Sequence, residues 1–233
     1  MKKKQQPSKM RVARFVALNT DYSRRTAETL INKGRISVNN KTAKIGQNIN
    51  PEKDRIEVNG ELIKPLEKRI TIMLNKPAGY ITTKKDPHAK KTVMDLIPYT
   101  DLFPIGRLDK DTEGLLLLTN DGDLAYKLTH PKFEHEKEYL VELKQQISRE
   151  QIQKLEKGII LNSKKTAPCK ITNHKENKLN ITLHEGRKRQ IKRMFEYLGN
   201  KVIYLYRLRI GKLKLGNLKK GTYKIIKDTT DIC

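Results

Sequence analysis

The sequence predicts an α+β protein of two units, the second and larger one built on a largely antiparallel or mixed sheet with flanking helices. Three observations carry this. The chain has 233 residues, which suits a small domain beside a medium one. Strand-like and helix-like stretches alternate irregularly and with hairpin-like connections, not as a strict βαβ series. A polar stretch at 65–69 then separates a compact opening segment from the rest.

In order, residues 1–9 read as a disordered basic tail and 10–64 as the first unit. Val12, Phe15 and Val16 have helical spacing. Ser23 is placed to cap a second helix from Arg24 to Lys33, which stops at Gly34. Alternating Ile36/Val38 and Arg55–Val58 read as short strands, with turns at Asn39-Asn40 and Asn59-Gly60. In the second unit, 70–230, "RITIMLNKPAGYI" is strand-like until Pro77-Ala78-Gly79. Val93–Ile97 reads as one helical turn before Pro98, and Leu115–Thr119 as a buried strand. Asp121 or Asp123 caps a helix through Thr129, "EYLVEL" alternates as a strand, and Ser148 with Gln151 forms a capping box opening a helix that ends at Gly158. "KLNITLHEG" is a further strand. Arg187–Leu198 is helical, with Ile191, Met194, Phe195 and Leu198 as its buried stripe. Stretches 201–206, 208–215 and 222–227 complete the strands.

Charge narrows the partner. Fifty Lys and Arg stand against 26 Asp and Glu, a net charge of +24. For a basic protein without a strongly amphipathic basic helix, the expected polyanion is nucleic acid, not an anionic membrane, with steeply salt-dependent binding; a generally Lys-rich proteome is the bland alternative. The basic start "MKKKQQPSKM" is not followed by an apolar stretch, so no signal peptide is expected. Cys169 and Cys233 lie far apart without a CxxC pair, which excludes a zinc ribbon or disulfide scaffold and suits a reducing, cytoplasmic setting. His88, His130, His135, His174 and His184 form no ligand pattern, and no metal is expected.

The stretch "GRLDKDTEGLLLLTNDG", 106–122, gathers acids in a chain short of them. As a calcium loop it fails: Asp109, Asp111, Glu113 and Gly114 fall at early EF-hand positions, but Glu113 stands where Asp or Asn is usual, Asn120 stands where a bidentate Glu is required, and the flanks read as strand. A solvated turn explains Lys110, Asp111 and Glu113. It explains Asp109 less well, since Arg107-Leu108-Asp109 sits between apolar "LFPI" and "LLLL". A carboxylate there needs a cationic partner, Arg107 being nearest in sequence, or it is protonated. From these residues alone, a structural ion pair and an acid held for chemistry remain equally open.

Resemblance goes further. "SRRTAETLINKGRISVNNKTAKIGQNI" resembles the S4 RNA-binding domain, which implies RNA contact by Arg11, Arg14, Arg24, Arg25, Lys33 and Arg35. "GRLDKDTEGLLLLTNDGDLAYKLTHP", "KEY" at 137–139 and "EGRKRQIKRMFEYLGNKV" resemble the RsuA/RluB-type ribosomal pseudouridine synthases, with similarity reaching about Ile226. The resemblance implies an S4 domain followed by a pseudouridine synthase catalytic domain, and isomerisation of one rRNA uridine, in large-subunit 23S rRNA rather than small-subunit 16S rRNA. No cofactor or metal is implied, and a cytoplasmic monomer is the default.

It also implies roles. Asp109 is the essential carboxylate, able to act as a nucleophile; whether it attacks C1′ or the base, or assists C2′ deprotonation, stays open. Arg107 takes the place vacated by the flipped base or binds backbone phosphate. Tyr139, sharing a strand face with Lys137 and Val141, stacks on the uracil while its hydroxyl relays a proton. Arg189 and Arg193 suit phosphate. Lys192, or else Arg187, pairs with Asp109, and Gln190 supports them. One departure, Thr222-Tyr223 in "KKGTYKII" where relatives often carry an arginine, bears on RNA contact alone. The rival readings are a non-enzymatic S4-type assembly factor with a degenerate second domain and, behind it, a glycosidase-like hydrolase, for which the sequence fixes no second acid.

Overall fold

The computed structural model describes residues 9–64, 69–229 and 232. It divides after Arg69 into two units. The expected N-terminal tail lies outside the described residues except for Lys9, as does the expected linker except for Arg69.

In the first unit, helix α1 (Val12–Asn19) buries Val12, Phe15 and Val16 against Ala27 and Ile31 of helix α2 (Arg24–Asn32). The Ser23 side chain accepts from Thr26 N at 3.0 Å, satisfying one of the amides left over at the start of α2. Strands Ile36–Val38 and Ile56–Val58 pair antiparallel, and their inward residues close the same core. The turn between Val38 and Lys41 has positive φ at both Asn39 and Asn40, the geometry that suits a tight hairpin.

The second unit is a nine-stranded mixed sheet among the described residues. Its main path runs Lys170–Lys175, Lys178–Leu183, Lys137–Leu143, Val202–Ile210, Glu113–Thr119, Thr71–Lys76, Tyr223–Ile225. Val202–Ile210 and Glu113–Thr119 run parallel; the other neighbours on this path are antiparallel. Both faces are covered, so the run "EGLLLLT" is buried along its whole length. Leu115 and Leu117 enter one core, Leu116 and Leu118 another, as strand alternation requires. Helix α3 (Gly122–Thr129) is capped by Asp121, and helix α4 (Arg149–Glu156) by the Ser148/Gln151 box. Helix α5 (Gln190–Tyr197) lays Ile191, Met194 and Phe195 on Val141, Leu179, Ile181 and Leu205.

Three details differ from the sequence reading. Helix α5 starts at Gln190 instead of Arg187, because Arg189 takes left-handed backbone angles. The hairpin Ile160–Leu161/Lys164–Lys165 and the strand Lys170–Lys175 are additional: they are short or largely polar and exposed, so no apolar alternation marks them. Finally, 202–210 is one strand where the sequence predicts a break at Arg207. The pairing with Lys137–Leu143 shifts between Glu138↔Arg209 and Tyr139↔Arg207, which leaves Leu208 as the extra residue of a β-bulge.

Candidate active site

A cleft of about 880 Å³ opens in the second unit. Of the predicted residues it is lined by Arg107, Asp109, Tyr139, Arg187, Arg189 and Gln190. Lys192 and Arg193 do not line it. The S4 cations lie in the other unit, where Arg11, Arg24, Arg25, Lys33 and Arg35 are exposed and Arg14 is half-buried. The Arg24 guanidinium lies 3.6 Å from the Glu28 carboxylate one helical turn on.

Asp109 stands in the turn between the antiparallel strands Phe103–Ile105 and Glu113–Thr119, closed by Thr112 N donating to Asp109 O. The turn is fastened from outside by the end of strand Thr71–Lys76 and the segment after it. Lys76, fully buried, donates from Nζ to the carbonyls of Pro77, Asp109, Lys110 and Thr112 at 2.8–3.2 Å. Gly79 N donates to Lys110 O at 2.8 Å. Thr82 Oγ1 donates to Leu108 O and accepts from Leu108 N, so the residue before the acid is held on both sides. Burial pushes the Lys76 ammonium down to about 8, although Glu113, Asp111 and Asp109 pull the other way.

The remaining acids of the turn have partners of their own. Glu113 accepts from Tyr204 Oη at 2.9 Å and Ala78 N at 3.2 Å and pairs with Lys220 Nζ at 2.6 Å. Burial alone would raise the Glu113 carboxyl; Lys220, Tyr204 and the amide outweigh it and hold it below the usual value. Burial of Tyr204 and its bond to Glu113 push that phenol up to about 12. Asp111 pairs with Lys192 Nζ at 2.5 Å. Desolvation raises Asp111 less than the hydrogen bond and charge of Lys192 lower it.

That last contact corrects an expectation. Lys192 pairs with Asp111, not with Asp109, from a buried position on α5. Arg187 does not meet Asp109 either. Its guanidinium is taken by Glu185 at 3.1 Å and by the carbonyls of Lys164 and Lys165. Gln190 completes this brace, donating to Glu185 and accepting from Arg187 N. Together they anchor the 185–190 loop to the 160–165 hairpin. Arg189 reaches Glu196 at 3.9 Å, and Arg193 donates to Asn162 Oδ1. Arg107 is exposed at the cleft, with no ion pair to Asp109.

Sequence reasoning missed three residues of this neighbourhood. Lys76 and Thr82 fasten the turn, and Arg207 lines the cleft beside Tyr139 while only 3% exposed. A lysine closing an apolar strand was a visible signal for Lys76. Arg207 had none, since the bulge resets the strand's alternation at that point.

Comparisons with known proteins agree on one family. Residues 70–197 match the family described as RNA pseudouridylate synthase, and residues 10–56 match the S4 domain. An uncharacterized RNA pseudouridine synthase of Aquifex aeolicus is 40% identical over 223 residues, covering 92% of this chain and 89% of that one. The ribosomal large subunit pseudouridine synthase B of Bacillus subtilis is 42% identical over 221 residues, covering 91% and 89%. The dual-specificity RNA pseudouridine synthase RluF of Escherichia coli is 37% identical over 224 residues, covering 95% of this chain and 77% of that one. A solved pseudouridylate synthase superposes with a TM-score of 0.69 at 33% identity, covering 94% of this chain and 96% of that one.

Proposed function

Because the chain belongs to the RNA pseudouridylate synthase family, we propose that it isomerises one uridine of large-subunit ribosomal RNA, as a monomer in the cytoplasm. The observation that carries the site is the convergence of Asp109, Tyr139 and Arg107 on one cleft, with the acid's backbone fixed by Lys76 and Thr82. The reaction breaks the N1–C1′ bond, turns the base and joins C5 to C1′; C5 gives up its proton and N1 gains one, so no oxidant or hydrolytic water is consumed.

In this reading Asp109 supplies the carboxylate at the reacting centre. Tyr139 stacks on the flipped uracil, and exposed Arg107 fills the vacated stack or grips phosphate. Arg189 and Arg193 meet phosphate at the rim. Arg187 and Gln190 serve by shaping the 185–190 loop. Lys192 acts through Asp111, holding the turn that carries the acid. Arg11, Arg14, Arg24, Arg25, Lys33 and Arg35 supply sequence-independent grip.

The test is pseudouridine mapping of rRNA from cells lacking the gene, complemented with wild type or with Asp109→Asn. One position of large-subunit rRNA is expected to lose its modification and to regain it only with wild type. Restoration by Asp109→Asn would sink the site, and an unchanged map would sink the reading.

A further inference from the structure

Arg207 is a buried guanidinium with one whole nitrogen, Nη2, unpaired. Its Nε donates to Leu115 O at 2.7 Å, and Nη1 reaches Tyr139 Oη at 3.4 Å, with the guanidinium carbon 5.9 Å from that ring's centre. Nη2 is buried without a hydrogen-bond partner. No ion pair joins Arg207 to Asp109, although both line the cleft. Buried orphan donors on a charged group are costly, and proteins rarely keep one unless something else completes it.

Two local features hold it there. The bulge at Leu208 sets Arg207 opposite Tyr139, while Arg209 turns to the other face and bonds to Glu138 and Glu136. Gly114 lets the parallel strand come close, since a Cβ there would stand 2.4 Å from Arg207 O. Arg207 thus keeps unpaired N–H donors for a ligand.

We propose that Arg207 is a uracil-binding residue, its guanidinium donating a spare N–H to a carbonyl oxygen of the flipped base while Nη1 steadies the Tyr139 hydroxyl. This rests on the cleft being the seat of base isomerisation. Uracil is acceptor-rich at O2 and O4. When the base departs, the electron pair of the N1–C1′ bond stays on the ring, delocalised over N1, O2 and O4, where a guanidinium stabilises it. A half-turn about the N3–C6 axis, which exchanges N1 with C5, also exchanges O2 with O4. One fixed donor therefore meets a carbonyl oxygen before and after the turn.

The experiment measures single-turnover pseudouridine formation on short RNAs whose target is uridine, 2-thiouridine or 4-thiouridine, with wild type, Arg207→Lys and Asp109→Asn. Sulfur is a poor acceptor, so wild type is expected to slow on the order of tenfold on at least one thio substrate. Arg207→Lys, slower on uridine, is expected to lose little more on that same substrate. A purely structural role would leave the thio effect equal in both enzymes, and that outcome overturns the proposal. So does a wild type indifferent to both sulfurs, a result needing no variant to fold. Failure of wild type on plain uridine, or activity of Asp109→Asn, instead overturns the reading of the cleft.

Discussion

The predicted cations of the first unit and the buried cations of the second carry their charge in opposite ways. In the first, five of the six predicted cations are exposed, and Arg24 and Arg25 open helix α2 with no acid in its first turn, against the helix dipole. In the second, Lys76, Lys192 and Arg207 are buried, each holding named backbone or side-chain partners. Exposed charge costs little and attracts a polyanion at range. Buried charge is tolerated only where its partners are fixed, so it fixes them in turn. The contrast teaches that these cations of the first unit are presented to solvent, while the buried ones of the second hold a geometry. Substitutions should separate the two: stability and turnover in one, salt-dependent affinity in the other.

The largest effect is expected at Lys76. Lys76→Met keeps the volume and strips four carbonyls of a shared donor, at a loss of about 3 kcal/mol or more, a fall of at least about 6 °C in Tm, with turnover lost alongside. The pH dependence has a definite sign. Lys76 titrates near 8 in the fold against an ordinary 10.5, so between those values the unfolded chain binds the extra proton. Its burial penalty is full below pH 8 and fades as pH rises, so the stability of wild type relative to Lys76→Met should grow from pH 8 to 10. Urea unfolding of both proteins across that range checks it. A margin that shrinks with pH would mean the ammonium is not desolvated as described.

Gly114→Ala comes next. The residue has φ +101° and its Cβ would sit 2.4 Å from Arg207 O, so the strands must part or the backbone must refold locally. A loss of about 2–3 kcal/mol is expected, with a disproportionate fall in kcat because Arg207 moves with its strand. Thermal melts beside single-turnover rates decide it: a fall in Tm with kcat intact would show that Arg207's position is not critical.

These cases show what was legible. Helices α1, α2 and α4, the buried run Leu115–Leu118 and the apolar stripe of α5 followed from period and caps, because local sequence alone decides them. Asp109 and Tyr139 were singled out through resemblance, and the structure brings both to one cleft. Partners were not legible. The shift of Lys192 from Asp109 to Asp111 depends on which side of a turn faces α5, a matter of fold geometry that no spacing encodes. Arg207 was hidden for a sharper reason: the bulge at Leu208 breaks the alternation by which a strand is read, so the residue fell at an apparent strand end.

The Asp111–Lys192 pair should give a smaller, asymmetric response. Asp111 is 63% exposed and its partner 7%, so solvent screens much of the attraction from one side only. Asp111→Asn leaves a buried ammonium without its counter-charge, for about 1–2 kcal/mol, whereas Lys192→Met removes the buried charge and is expected to cost less. Chemical denaturation of the two variants tests the order. If Lys192→Met proves the worse, the ammonium is satisfied by more than Asp111.

The smallest effect belongs to the first unit, and it sharpens the contrast most. Arg25 is exposed at the start of α2, where its charge opposes the helix dipole. Arg25→Ala should therefore leave Tm unchanged or raise it slightly. RNA affinity should fall a few-fold, and the slope of log affinity against log salt should flatten by about one unit for one lost phosphate contact. Single-turnover kcat at saturating RNA should not move, since no bond in the cleft depends on the residue. Binding isotherms at three salt concentrations, set beside kcat, read both quantities. An unchanged salt slope would place Arg25 off the RNA, while a reduced kcat would mean that Arg25 serves more than binding.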